Sequence, residues 1–212
     1  MDRLSYTLVS EGSSDRALIP HLTWLLSQNG VNVPIDSEWA DWRYLPKAPR
    51  GLVEKIKVSF ELLPCDILFI HRDSDREPLR NRREEIENAI NMAFGEIKPN
   101  YVCVIPIRMQ EAWLLFDESA IRRSSGNPHG KVRLNLPKMN RIESLANPKA
   151  LLHDIIRRAS ELSGRHLRQL SLSHCSVQIS QNIEDFSPLR RLIAFQELED
   201  NIKQVVNYFK TL

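Results

Sequence analysis

Hydrophobic and polar positions alternate between two periods along the first half of the chain. Leu4 to Ser10 reads as a strand, and Leu18, Ile19, Leu22, Leu25 and Leu26 then recur at helical spacing from Asp15 until Asn29-Gly30 stops the pattern. Trp39 to Leu45 predicts a second strand. After the Pro46-Lys47-Ala48-Pro49 break, Leu52, Val53, Ile56 and Phe60 predict a helix from Gly51 to Leu63. Cys65 to His71 is a near-continuous apolar run of the kind buried on both faces of a sheet. A charged helix over Pro78 to Phe94 and a strand over Tyr101 to Ile107 complete a β-α-β-α-β-α-β order, which implies an α/β fold: a mostly parallel sheet flanked by helices. Further on, Lys149 to Leu162 and Pro188 to Phe209 read as helices. This divides the chain into residues 1–118, the α/β part, and a basic, mainly helical C-terminal extension over 119–212 packed on the same domain.

In parallel sheets, ligands collect beyond the carboxyl ends of the strands. Glu11 follows the first strand, Asp73 and Asp75 follow the third, and Arg108 and Glu111 follow the fourth. Carboxylates crowded at one sheet edge repel unless a cation sits among them, and hard oxygen donors suit Mg²⁺ or Mn²⁺. Each residue also has a purely structural reading. Asp15 fits a helix cap, Asp73-Ser74-Asp75 an Asx-turn loop, and Glu111 a helix-start acid. In extended backbone Asp73 and Asp75 would point to the same side and grip one ion or adjacent ions. His71 fits a core histidine and Trp113 a core tryptophan.

Net charge alone is uninformative at +2, but its distribution is not. Eleven Lys or Arg between Ala120 and Leu170 stand against three acids, a local +8 that leaves −6 elsewhere (18 bases, 24 acids). A basic segment beside an acidic cluster suits an enzyme acting on a polyanion. Candidate nucleic-acid contacts are Arg72, Arg76, Arg122, Arg123, Lys131 and Arg133, the alternative being a solvated face. His129, in its Gly/Pro loop, is a further candidate phosphate contact. The three cysteines lack zinc or disulfide spacing, and no Gly-x-x-x-x-Gly-Lys-Ser/Thr loop is present, so ATP hydrolysis by this chain is not expected. No apolar run approaches the roughly 20 residues of a bilayer span. The first residues lead directly into a strand, and a cytoplasmic location without membrane attachment is expected.

The placement of Glu11, Asp73 and Asp75 resembles the Toprim domain of topoisomerases, primases and overcoming-lysogenization-defect nucleases, in which a Glu follows the first strand and Asp-x-Asp the third. A second resemblance spans most of the chain: Pro106-Ile107-Arg108-Met109-Gln110-Glu111-Ala112-Trp113-Leu114-Leu115-Phe116-Asp117, Asn147-Pro148-Lys149 and Phe186-Ser187-Pro188-Leu189 look like the bacterial DUF4276 family, regarded as Toprim-like. These resemblances imply Mg²⁺ or Mn²⁺ held by Glu11, Asp73, Asp75 and Glu111, with Arg108 at the scissile phosphate of DNA or RNA. They also imply an anti-phage effector working with an ATPase encoded nearby. Oligomeric state is left open. A non-catalytic nucleic-acid or partner-binding module and a small-nucleotide phosphohydrolase are the competing readings.

Overall fold

The structure, a computed structural model, describes residues 2–211. Four strands, β1 (Leu4–Val9), β2 (Ile35–Trp39), β3 (Ile67–His71) and β4 (Tyr101–Val104), form an all-parallel sheet in the order β2-β1-β3-β4. Around it lie α1 (Ile19–Gln28), α2 (Gly51–Leu62), α3 (Leu79–Phe94), α4 (Glu118–Ser124), α5 (Pro148–Ser160), α6 (Gly164–Gln169), α7 (Leu172–Asn182) and α8 (Ile193–Thr211). The fold is α/β with a C-terminal set of helices, as the periodicity predicts.

Strand alternation sorts the core into two layers. Leu4, Tyr6 and Leu8 of β1, Ile67 and Phe69 of β3, and Val102 and Val104 of β4 face one core, shared with α1 and the helices after residue 117. Val9, Leu68, Ile70, Cys103 and Ile105 face the other, covered by α2 and α3. Every residue of β3 is buried, which is why its sequence shows no polar alternation. Trp113 is fully buried and edge-on to Phe195 at 5.2 Å, tying the segment after β4 to α8. α8 is clasped in turn by Arg190, whose Nε and Nη2 reach the buried Glu199 at 2.9 and 2.7 Å.

Three expected elements are corrected. The second strand is Ile35–Trp39, not Trp39 to Leu45: it is an edge strand with exposed Asp36, Ser37 and Glu38, so it lacks the apolar signature, and the aromatic run after it is a 3₁₀ turn at Trp42–Tyr44 capped by Asp41. β4 stops at Val104 because Pro106 supplies no N–H to a ladder. The terminal helix starts at Ile193, and Pro188 belongs to a separate 3₁₀ turn, Ser187–Arg191. Among the described residues no helix is long and apolar enough to cross a membrane.

His21 on α1 is completely buried between Trp113 and Phe186, with Nδ1 2.9 Å from the Ala17 carbonyl and Nε2 lacking a hydrogen-bond partner. Burial lowers its pKa to about 4. The neutral ring therefore contributes stability that is fully present above about pH 6.5 and lost as pH falls through about 4, worth about 3 kcal/mol. Between neutral pH and about pH 3.5, wild type should lose about 3 kcal/mol more unfolding free energy than His21→Leu, measured by urea titration.

Candidate active site

β1 and β3 are neighbours, with Val9 opposite Ile70, so the chain leaves both strands at the same level. Two residues further on, the Arg72 guanidinium pairs with Glu11. β3 also carries the segment after β4 along with it: Arg72 N–H donates to the Val104 carbonyl (3.1 Å), Ser74 N–H to Pro106 (3.0 Å) and Asp75 N–H to Arg108 (3.0 Å). These bonds bring the 3₁₀ turn Gln110–Leu114 against the end of β3, where Gln110 N–H donates to Asp73 Oδ1 at 2.8 Å.

Asp73 lies at the centre of this arrangement. Its carboxyl pKa is pushed up to about 7, first by burial, with the negative charges of Glu111 and Asp15 adding to the rise and the His71 ring opposing it. His71 Nδ1 is 3.0 Å from the Val104 carbonyl, which makes Nδ1 the protonated nitrogen and turns Nε2 toward Asp73 Oδ1 at 3.5 Å. The His71 contact and the Gln110 bond thus both fall on Oδ1. Glu111 is buried, and Lys149 at the start of α5 reaches its Oε1 at 3.1 Å. Lys149 supplies the positive charge beside Glu111, while burial first and then the Lys149 charge hold His153 below the ordinary histidine range, as a neutral ring.

Asp15 has the capping role expected of it, in a reversed sense. Its Oδ2 accepts from the backbone N–H groups of Glu11 (3.1 Å) and Gly12 (2.9 Å), which fixes the turn that presents Glu11. It also adds a buried carboxylate beside Asp73. Gln110 is buried too. Its Nε2 donates to the Ser14 carbonyl at 3.4 Å, while Oε1 has no hydrogen-bond partner. His71 is buried, as a core histidine is expected to be, yet also faces Asp73, and the sequence signal for Gln110 is only its position between the end of β4 and Glu111.

The expected alternation of Asp73 and Asp75 does not hold. Asp75 has φ +53°, so the backbone turns where an extended strand would have placed both carboxylates on one side. Its exposed carboxylate pairs with Arg82 of α3 at 3.3 Å. Arg82 and Arg72 both bind Glu85, at 2.8 and 3.1 Å, so Glu11, Arg72, Glu85, Arg82 and Asp75 form one chain of alternating charge across the sheet edge. Arg108 is the partner in the turn. It has φ +68°, its N–H donates to Ser74 Oγ (2.8 Å) and its Nη1 to the Asp75 carbonyl (3.2 Å). Left-handed backbone at these two non-glycine positions, on segments joined by the Asp75–Arg108 bond, costs on the order of 1–3 kcal/mol each, strain of a kind that clusters at functional sites. Asp75, Arg76, Arg82, Arg108 and Asn147 line a cleft of about 390 Å³ with three guanidinium-bearing side chains.

The candidate nucleic-acid contacts separate by exposure. Arg76, Lys131 and Arg133 are exposed. Arg123 is exposed but donates to the Asn182 carbonyl (2.6 Å) and Ser119 Oγ (2.9 Å). Arg122 is a correction: it is buried, binds Glu118 and donates to the Val132 carbonyl at 2.7 Å, so it holds the loop after α4 and does not face a ligand. Arg122→Ala is expected to cost about 1–3 kcal/mol of stability while leaving affinity for nucleic acid unchanged, checked by denaturation and by anisotropy. His129 is exposed in its loop.

Among the described residues no group of three or more His, Cys, Asp or Glu side chains is arranged to hold a metal ion. The four expected ligands are distributed along one edge: Glu111 is buried and Asp73 half-buried, while Glu11 and Asp75 are exposed, each tied to an arginine. No family model, curated protein or solved structure matches the chain.

Proposed function

We propose that the chain is a metal-dependent nuclease of Toprim-like type that hydrolyses phosphodiesters of DNA or RNA. The observation that carries this reading is the placement of Asp73 just past the end of β3, with Gln110 N–H at 2.8 Å and His71 at 3.5 Å on its Oδ1; burial, with the charges of Glu111 and Asp15 adding, pushes its carboxyl up to about 7. The donor chemistry fits Mg²⁺ or Mn²⁺, because the inner acids offer hard oxygens and their mutual repulsion is relieved by a cation. Asp73 and Glu111 would hold it. Glu11 and Asp75 are held by Arg72 and Arg82 in exposed ion pairs that are individually weak, and would add to the donor set were those pairs to open.

When bound, the cation supplies activation of an attacking water and stabilisation of the leaving oxygen. The chain's own groups position the rest. Gln110 N–H and His71 hold Asp73 Oδ1 and so fix the orientation of the carboxyl. Arg108 and Arg76, on the 390 Å³ cleft, attract the scissile phosphate, and Lys149 holds Glu111 in place. Action in the bacterial cytoplasm as an anti-phage effector beside a partner ATPase belongs to the same proposal.

The test is cleavage of plasmid and single-stranded substrates in Mg²⁺, Mn²⁺ or EDTA by wild type and Asp73→Asn. Metal-dependent cleavage abolished by the substitution supports the reading, and equal activity of the two proteins sinks it. The arginine pairing of Glu11 and Asp75 favours a second reading, a non-catalytic binding module. That reading is selected by salt-sensitive nucleic-acid binding without cleavage.

A further inference from the structure

A second feature lies on the other side of Glu11, at the carboxyl ends of β1 and β2. A groove of about 330 Å³ is lined by Glu11, Trp39, Trp42, Arg43 and Lys55, among others. Its aromatic rings are fixed in place: Trp39 Nε1 donates to Ser10 Oγ at 2.9 Å and Trp42 Nε1 to Ser59 Oγ at 3.1 Å. Cations are laid over them. Lys55 Nζ is 4.8 Å from the Trp42 ring centre, and the Arg43 guanidinium is 5.5 Å from Trp39 and 5.9 Å from Tyr44. Arg16 stands 5.6 Å from Trp39. Tyr44 is 85% exposed, an unusual amount for a large ring.

We infer that this groove binds unpaired nucleotides of a single-stranded nucleic acid and leads the strand toward the Glu11 edge of the site. Flat rings with interleaved cations match the two repeating parts of such a strand, since bases stack on aromatic faces and phosphates take the positive charge. Residues 39–57 carry five Lys or Arg against two acids, a local +3, and Arg43 is itself partly neutralised by Asp41 at 2.8 Å. A duplex keeps its base faces stacked inside the helix, so an exposed tyrosine ring has no base face to meet there. The +8 segment beyond Ala120 is not needed for this contact, and the buried Arg122 within it is not available for it. The position beside Glu11 rests on the nuclease reading, whereas the binding does not.

The test is fluorescence anisotropy with labelled oligothymidylate and oligouridylate of about 16 nucleotides, in EDTA so that binding is separated from cleavage. Wild type should bind both with marked salt dependence, and more tightly than a duplex of the same length. Tyr44→Ala/Lys55→Ala should weaken binding by roughly tenfold or more with an unchanged thermal midpoint, and Tyr44→Phe/Lys55→Arg should restore it. Equal affinity of the double alanine variant and wild type, tighter binding of the duplex, or no saturable binding would overturn the groove. Absence of metal-dependent cleavage by wild type, with its binding intact, would sink the nuclease reading alone.

Discussion

Asp73→Asn should make the protein more stable in EDTA at alkaline pH while removing the proposed metal-dependent activity. The carboxyl is raised from 3.8 to about 7, so the folded state binds more protons than the unfolded state between those values. Wild-type stability from this residue is therefore fully present below about pH 4 and lost as pH rises through about 7. The full shift corresponds to about 4 kcal/mol, and a side chain 26% exposed reduces this to about 2–4 kcal/mol. Asparagine keeps the acceptor for Gln110 N–H and never ionises. At about pH 8 the variant should melt roughly 5–10 °C higher than wild type, with the gap closing near pH 4, as read by calorimetry. A residue whose charge destabilises the fold and is nonetheless placed on it has the signature of a functional site.

Glu111→Gln should lower activity on the order of 100-fold or more and also move the titration of Asp73. Glu111 is one of the negative charges that raise the Asp73 pKa, so its neutralisation shifts the Asp73 midpoint below about 7. In the Glu111→Gln background the stability gain from Asp73→Asn should consequently shrink. The double-mutant cycle measures the coupling directly. An unchanged gain would show that the two carboxylates do not sense one another. Lys149 loses its partner at 3.1 Å in the same variant but is half exposed, so solvent takes over much of its charge.

The features legible in the sequence were those fixed by period and strand ends. β3 announced itself because both its faces are buried, and the order of elements implied the parallel sheet. The adjacency of β1 and β3, on which any shared role of Glu11 and Asp73 depends, emerged only in the fold, since strand order is not written in a local pattern. β2 was misplaced because an edge strand with three exposed polar residues has no apolar signature, while the nearby tryptophans imitated one. The turn at Asp75 was hidden for another reason. Its left-handed backbone is held by the bond from Asp75 N–H to Arg108, a residue brought in by β4. A count of basic residues likewise could not distinguish Arg122, buried against Val132, from the exposed Arg133.

The claim that the Asp73 edge is a divalent-cation site is tested most directly by thermal shift with Mg²⁺ and Mn²⁺ at about pH 8 and about pH 5.5. Wild type should be stabilised by either metal at the higher pH and much less at the lower, where protons occupy the Asp73 carboxyl, and Asp73→Asn should not respond at either pH. Equal metal-induced stabilisation of wild type and Asp73→Asn, or none in wild type, would contradict it.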